Sequence, residues 1–251
     1  MPKSSLQGEA QMRRRSLLAA AGAAAVLSRT GTARAEADPV DVLLVLAVDV
    51  SRSVDEDEAR LQREGYRAAV VDPRVVEAIR GGMMGSIALA YVEWAGIEYQ
   101  RTVLPWMRIA SQQDAEDWAT ALEQAPRASL SWTSISGGIE FSRRLFIESP
   151  FEGVRRVIDV SGDGVNNSGP PVEQMRDRAV AEGITINGLP IMNDRPTFGR
   201  MPPIPLDQYF AEQVIGGPGA FVIAAEDFSA FGNAVRRKLI REIAGLGSSA
   251  G

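Results

Sequence analysis

Residues 42–53 read VLLVLAVDVSRS, seven apolar residues that end on Asp49 and pass into Val50-Ser51-Arg52-Ser53. An unbroken apolar run of that length suits a central strand whose sheet is covered by helices on both faces. An aspartate at the carboxyl end of such a strand stands at the edge where open α/β sheets bind their ligands. A second acid is delivered in the same way by residues 157–164, VIDVSGDG, which run from an apolar strand into Asp163-Gly164. If the two strands are neighbours, Asp49 and Asp163 converge, and two carboxylates at a buried edge call for a cation between them.

Working outward, apolar runs alternate with segments of helical period, the pattern of an α/β fold with a largely parallel sheet. Asp55 to Val71 reads as a helix rich in acids at its start and stopped by Asp72-Pro73. Ser86 to Ala95 and Tyr99 to Trp106 are strand-like and separated only by Gly96-Ile97-Glu98, too short a gap for a crossover, so they form an antiparallel hairpin. Ser111 opens a helix that places Ala115, Trp118, Ala119 and Leu122 on one inward face. Further helices are expected at about Ile135 to Ile147 and at Val172 to Glu182, the latter closed by Gly183 and followed by a strand from Ile184 to Ile191. Asn193 to Pro205 is a long loop, Phe221 to Ala224 a last strand, and Asp227 to Ala244 a last helix with Phe228, Phe231, Val235, Leu239 and Ile243 turned inward. Arg236-Arg237-Lys238 reads as the wet face of that helix. The fold class is therefore α/β: a doubly wound, three-layer domain over residues 36–245 with a mostly parallel sheet and one antiparallel edge strand, followed by a flexible tail at 246–251.

The chain has 251 residues, 45% of them hydrophobic and 24% charged, ordinary for one sizeable core. It contains no cysteine and no histidine. That removes disulfides, thiolate and imidazole metal ligands, and any triad built on histidine, so a bound metal must be a hard cation held by oxygen. Residues 1–35 carry six basic side chains against Glu9, within a chain whose net charge is −5. The remainder is strongly acidic, which argues against nucleic acid or an anionic membrane surface as partner. Arg13-Arg14-Arg15-Ser16-Leu17-Leu18, a short alanine-rich run and Ala33-Arg34-Ala35 follow the order of an export signal of twin-arginine type cleaved after Ala35. The run is shorter than the roughly 18–20 apolar residues of a membrane span, so the mature chain is expected to lack one and to be periplasmic or secreted.

The D-x-S-x-S loop at 49–53, the strand-ending Asp163-Gly164 and Thr133 before a later helix together resemble the von Willebrand factor type A domain with its metal-ion-dependent adhesion site. The order strand, helix, hairpin, helix, helix, strand agrees with that family over roughly residues 40–245. The runs RRVIDVSGDGVNN, ITINGLPI and VIGGPGAFV are more narrowly similar to a bacterial secreted branch of unestablished function. The resemblance implies that Asp49, Ser51, Ser53, Thr133 and Asp163 hold Mg²⁺, or Mn²⁺ or Ca²⁺. It also implies a binding module, not an enzyme, whose metal takes up an acidic residue of a protein partner. Hydroxyl ligands neutralise none of the cation's charge, which keeps it electrophilic toward an outside carboxylate.

Plainer readings compete. Ser53 with Glu56, or Asp55 with Glu58, makes a helix-capping box, and Asp55 to Glu58 suit a solvated first turn facing the helix dipole. Ser131, Ser134 or Ser136 could replace Thr133. Asp159, Ser161 and Asp163 imitate the opening of a calcium loop, but Pro170 stands at its closing position. Asn166 and Asn167 read as turn residues, and Gly216-Gly217-Pro218-Gly219 as a tight turn. Arg52, between the two serines, is expected to point outward. The alternative function is a magnesium-dependent phosphohydrolase or phosphotransferase with Asp49 as nucleophile. Such enzymes place a second acid where this chain has Ser51 and need a lysine for phosphate, and Lys238 is the only lysine beyond Lys3.

Overall fold

A computed structural model describes residues 38–126, 131–192 and 204–245. The expected export signal lies outside the described residues, as do the tail from 246 and most of the loop at 193–205.

Five strands form one sheet in the order β3-β2-β1-β4-β5: β1 (Asp38–Asp49), β2 (Ile87–Trp94), β3 (Gln100–Ile109), β4 (Phe151–Gly162) and β5 (Ile184–Pro190). β1 pairs in parallel with both β2 and β4, β4 with β5, and β3 runs antiparallel at the edge. Pro105, which has no N–H to donate, falls on that edge strand, where a missing donor is tolerated. Alternate residues of β1 feed two cores. Leu44, Leu46 and Val48 pack with Tyr66 of α1 (Glu56–Val70), Ile79 of α2 (Pro73–Arg80), Trp118 of α3 (Gln112–Gln124) and Leu239 of α7 (Phe231–Ala244). Leu43, Val45 and Ala47 pack on the other face with Ile139 of α4 (Ile135–Leu145), Ala179 of α5 (Val172–Ala181) and Tyr209 of α6 (Leu206–Tyr209). The chain winds away from β1 in both directions, so the crevice between β1 and β4 is the topological switch point.

Three elements differ from the sequence expectation. Asp72-Pro73 does not only end α1: Pro73 is the first residue of α2, and Asp72 caps it by accepting from the Arg74 N–H at 2.9 Å. Proline suits that position because its φ is already helical and its missing donor is not needed there. The expected last strand at Phe221 to Ala224 is reduced to two isolated parallel bridges beside β5. Gly188 N–H donates to Phe221 O and Met192 N–H to Ala225 O, but the residue between them is Pro190, which has no N–H, so the ladder breaks in the middle. Lys238 is not on the wet face of the last helix. It is fully buried and ion-paired with Asp159 at 2.6 Å and with Glu242. Burial raises the Asp159 carboxyl to about 7; the charge of Lys238 opposes this and that of Glu242 adds to it.

Helices α1 and α7 cross at Gly65 and Gly232. A Cβ on Gly65 would stand 2.7 Å from Phe231 Cδ1 and 3.1 Å from Gly232 Cα, so the two backbones meet where no side chain fits.

Candidate metal centre

The register of β1 against β4 sets Val48 beside Ser161, so the chain leaves both strands at the same height and Asp49 and Asp163 emerge together. Asp49 is fully buried. Its Oδ1 accepts the Ser51 N–H at 2.7 Å, a turn that folds the loop back over the strand end. Ser51 and Ser53 hydroxyls lie 2.9 Å apart, and Ser53 Oγ donates to Asp163 Oδ1 at 2.6 Å. A continuous chain of contacts therefore runs from Asp49 through both serines to Asp163. Helix α1 does not compete for Ser53, because its capping box is made by Asp55 and Glu58, each side chain accepting the other's N–H at 2.9 Å. Arg52 is exposed, as expected.

The loop before α4 brings in the third stretch. Thr133 is clamped: its N–H donates to Asn167 Oδ1 at 2.9 Å and its carbonyl accepts the Asn167 N–H at 2.9 Å. A Cβ on Gly164 would lie 3.8 Å from Thr133 Oγ1, so this hydroxyl faces the loop that carries Asp163. The competing hydroxyls are committed elsewhere or exposed. Ser134 Oγ caps α4 by accepting from Gly137 N–H at 3.1 Å, Ser136 Oγ donates to Asn166 Oδ1 at 3.2 Å, and Ser131 is exposed. Asn166 and Asn167 are thus more than turn residues: their side chains tie the loop after β4 to the loop before α4. The signal available in the sequence was two adjacent amides just after the second acid, where side chains can replace missing backbone partners.

Electrostatics concentrate on Asp49. Burial, and then the negative charge of Asp163, push its carboxyl well above the ordinary range, against the lowering effect of the Ser51 N–H. Asp49 Oδ2 is buried and has no hydrogen-bond partner among the described residues. A Cβ on Gly162 would sit 3.0 Å from that oxygen, so glycine keeps the space beside it open. Among the described residues no group of three acidic side chains is placed to hold a metal ion; the donors here are two carboxylates and three hydroxyls. Asp159, in contrast, turns into the core toward Lys238 and belongs to no calcium loop.

Residues 39–247 match the family described as "Protein of unknown function (DUF1194)". The chain belongs to that family. No curated protein matches this DUF1194 chain. Among solved structures, proximal thread matrix protein 1 from the mussel byssus, determined with a zinc-occupied MIDAS motif, superposes with a TM-score of 0.60 at 18% identity, over 83% of this chain and 49% of that one. The pilus adhesin SpaC from Lactobacillus rhamnosus GG gives 0.58 at 14% identity, over 82% and 30%. A von Willebrand factor type A protein from Catenulispora acidiphila gives 0.54 at 14% identity, over 82% and 43%. The DUF1194 chain thus spans half or less of the length of these neighbours, and it shares their von Willebrand factor type A fold.

Proposed function

We propose that this domain is a divalent-metal-dependent protein-binding module. The observation that carries the reading is the buried, unpartnered Asp49 Oδ2 beside Asp163. Two like charges held close together at a buried sheet edge are costly, and a cation between them removes the cost. Asp49, Ser51, Ser53, Thr133 and Asp163 are the residues to hold it, and the oxygen-only donor set favours Mg²⁺ or Mn²⁺ over zinc, with Ca²⁺ an allowed substitute. The metal supplies a Lewis-acidic position for an acidic side chain of a protein partner. The zinc-occupied MIDAS motif named for the mussel protein and the adhesin role named for SpaC support this reading by analogy of fold.

Phosphoryl transfer from Asp49 has less support. Ser51 stands where a second acid is needed, and Lys238 is buried and ion-paired with Asp159 and Glu242. The basic, alanine-rich leader supports export to the periplasm or beyond, and no helix among the described residues is long and apolar enough to cross a membrane. Recovery of mature protein beginning at Glu36 from a periplasmic fraction tests the leader.

Isothermal titration calorimetry tests the site. Mg²⁺ or Mn²⁺ is expected to bind one-to-one, and Asp49→Ala and Asp163→Ala each to abolish binding with the circular dichroism spectrum retained. Unchanged binding in both variants rejects the assignment.

A further inference from the structure

Two arginines share a cavity at the other end of the sheet. Arg155 stands near the start of β4, about 25 Å along the strand from Asp163. Its guanidinium donates to Glu242 O and to Ile243 O, both at 2.7 Å, and so closes the last turn of α7. These bonds leave part of its five-donor fork unused. Arg241 is exposed and lays its guanidinium over the Phe221 ring at 3.9 Å. Neither arginine makes an ion pair among the described residues. Glu242 offers Arg155 only its backbone carbonyl, because its carboxylate is ion-paired with Lys238 and accepts from Asn187 Nδ2 at 2.9 Å. Burial lowers the Arg155 guanidinium, against the charges of Asp41 and Glu242, so the fold keeps that charge at a cost.

Both arginines line a cavity of about 400 Å³, together with Val157 of β4, Thr185 of β5 and Phe221. The turn that carries Pro218 completes the wall and is fastened to β5. Ile186 and Gly216 exchange N–H bonds at 2.8 and 3.1 Å, Thr185 Oγ1 donates to Pro218 O at 3.4 Å, and Phe221 N–H donates to Asn187 Oδ1 at 3.1 Å. The cavity is therefore built into the fold. Arg155, Thr185 and Phe221 come from the runs RRVIDVSGDGVNN, ITINGLPI and VIGGPGAFV, three stretches distant in the chain that meet here.

We propose that this cavity binds a small organic carboxylate, whose acid group pairs with Arg155 and Arg241 and whose apolar body lies against Val157 and Phe221. The volume is that of an ordinary small-molecule site, and such sites combine apolar walls with a few placed polar groups. A planar guanidinium fork matches a carboxylate in shape as well as charge. A neutral ligand would leave both charges unmatched, and an inorganic anion would give up water against Val157 and Phe221 without replacing it. The site is separate from the metal-dependent reading, since it and Asp163 lie at opposite ends of β4.

Amide chemical shifts of the purified protein, followed during titration with benzoate, test this. Saturable shifts are expected at Thr185, Gly219 and Phe221, and benzamide, which has the same shape without the charge, should bind about tenfold more weakly. Arg241→Gln should weaken benzoate about tenfold and leave benzamide unchanged. Arg155→Lys, which keeps the charge and loses the planar fork, should also weaken benzoate with the circular dichroism spectrum retained. Asp49→Ala should leave benzoate binding as it is. Benzamide binding as tightly as benzoate, absence of saturation, saturation only at amides away from the cavity, or benzoate affinity unchanged in both arginine variants overturns the site. Inorganic phosphate that moves the same amides with equal affinity overturns the organic carboxylate and makes this a plain anion site.

Discussion

Asp49 and Asp159 are both buried carboxylates on neighbouring strands, Asp159 pairing with Leu46 of β1, yet Asp49 stands at the sheet edge and Asp159 is ion-paired with the buried Lys238. Asp159 already has its cation in Lys238, and its carboxyl is nevertheless raised to about 7 because burial outweighs that attraction. The folded protein therefore holds this proton more tightly than the unfolded chain does. The resulting stabilisation is complete below about pH 4, the ordinary carboxyl range, and is lost as pH rises toward 7. Urea midpoints measured from pH 4 to 8 should fall over that window in the wild type, and Asp159→Asn should flatten the fall. Trp132 makes a different demand on its backbone. Glycine adopts a φ of 72° freely, so Trp132→Gly should raise stability by about 1 kcal/mol, read from the same denaturation curves. A decrease would mean that the contacts of the indole outweigh the strain of its backbone.

At the scale of elements, the crossing of α1 and α7 depends on two glycines. Gly65→Val would drive methyl groups into the Phe231 ring and the Gly232 backbone and should cost about 2–3 kcal/mol, visible as a lower thermal midpoint. The sequence declared most of these elements through periodicity. The apolar run before Asp49, the short Gly96-Ile97-Glu98 gap and the inward stripe of the last helix each carry a local signal, and each element is present. What escaped was decided by tertiary partners. Pro73 stops one helix and starts another, and only the turn into α2 reveals the second role. Pro190 lies within the expected strand from Ile184 to Ile191, and its missing N–H splits the pairing of residues 221–225 across the sheet. Lys238 looks solvated beside Arg236 and Arg237, because nothing local tells that Asp159, far earlier in the chain, lies beneath it. In the same way, the motif residues of the candidate site were legible one loop at a time, whereas the amides of Asn166 and Asn167 that lock two loops together were not.

For the whole molecule, the candidate site concentrates negative charge where three chain segments meet at one edge of the sheet. On the metal-dependent reading, the charges of Asp49 and Asp163 oppose one another without a cation, and with one they should tighten the fold. Mg²⁺ at about a hundred times its dissociation constant should add about 2.7 kcal/mol, a rise of about 5–10 °C in thermal midpoint that EDTA reverses. Asp49→Asn, which keeps an acceptor for Ser51 and removes the charge, should raise the metal-free midpoint and abolish the response to Mg²⁺. A midpoint that still follows Mg²⁺ in the Asp49→Asn variant would point to another binding place. The seclusion of Lys238 has a practical side as well. Beyond Lys3 it is the only lysine in the chain, and its amine is sealed inside the folded domain. Amine-reactive reagents will therefore leave the surface of residues 38–245 untouched and acylate position 238 only in molecules that have opened, so slow labelling at that residue keeps time for the domain's own unfolding.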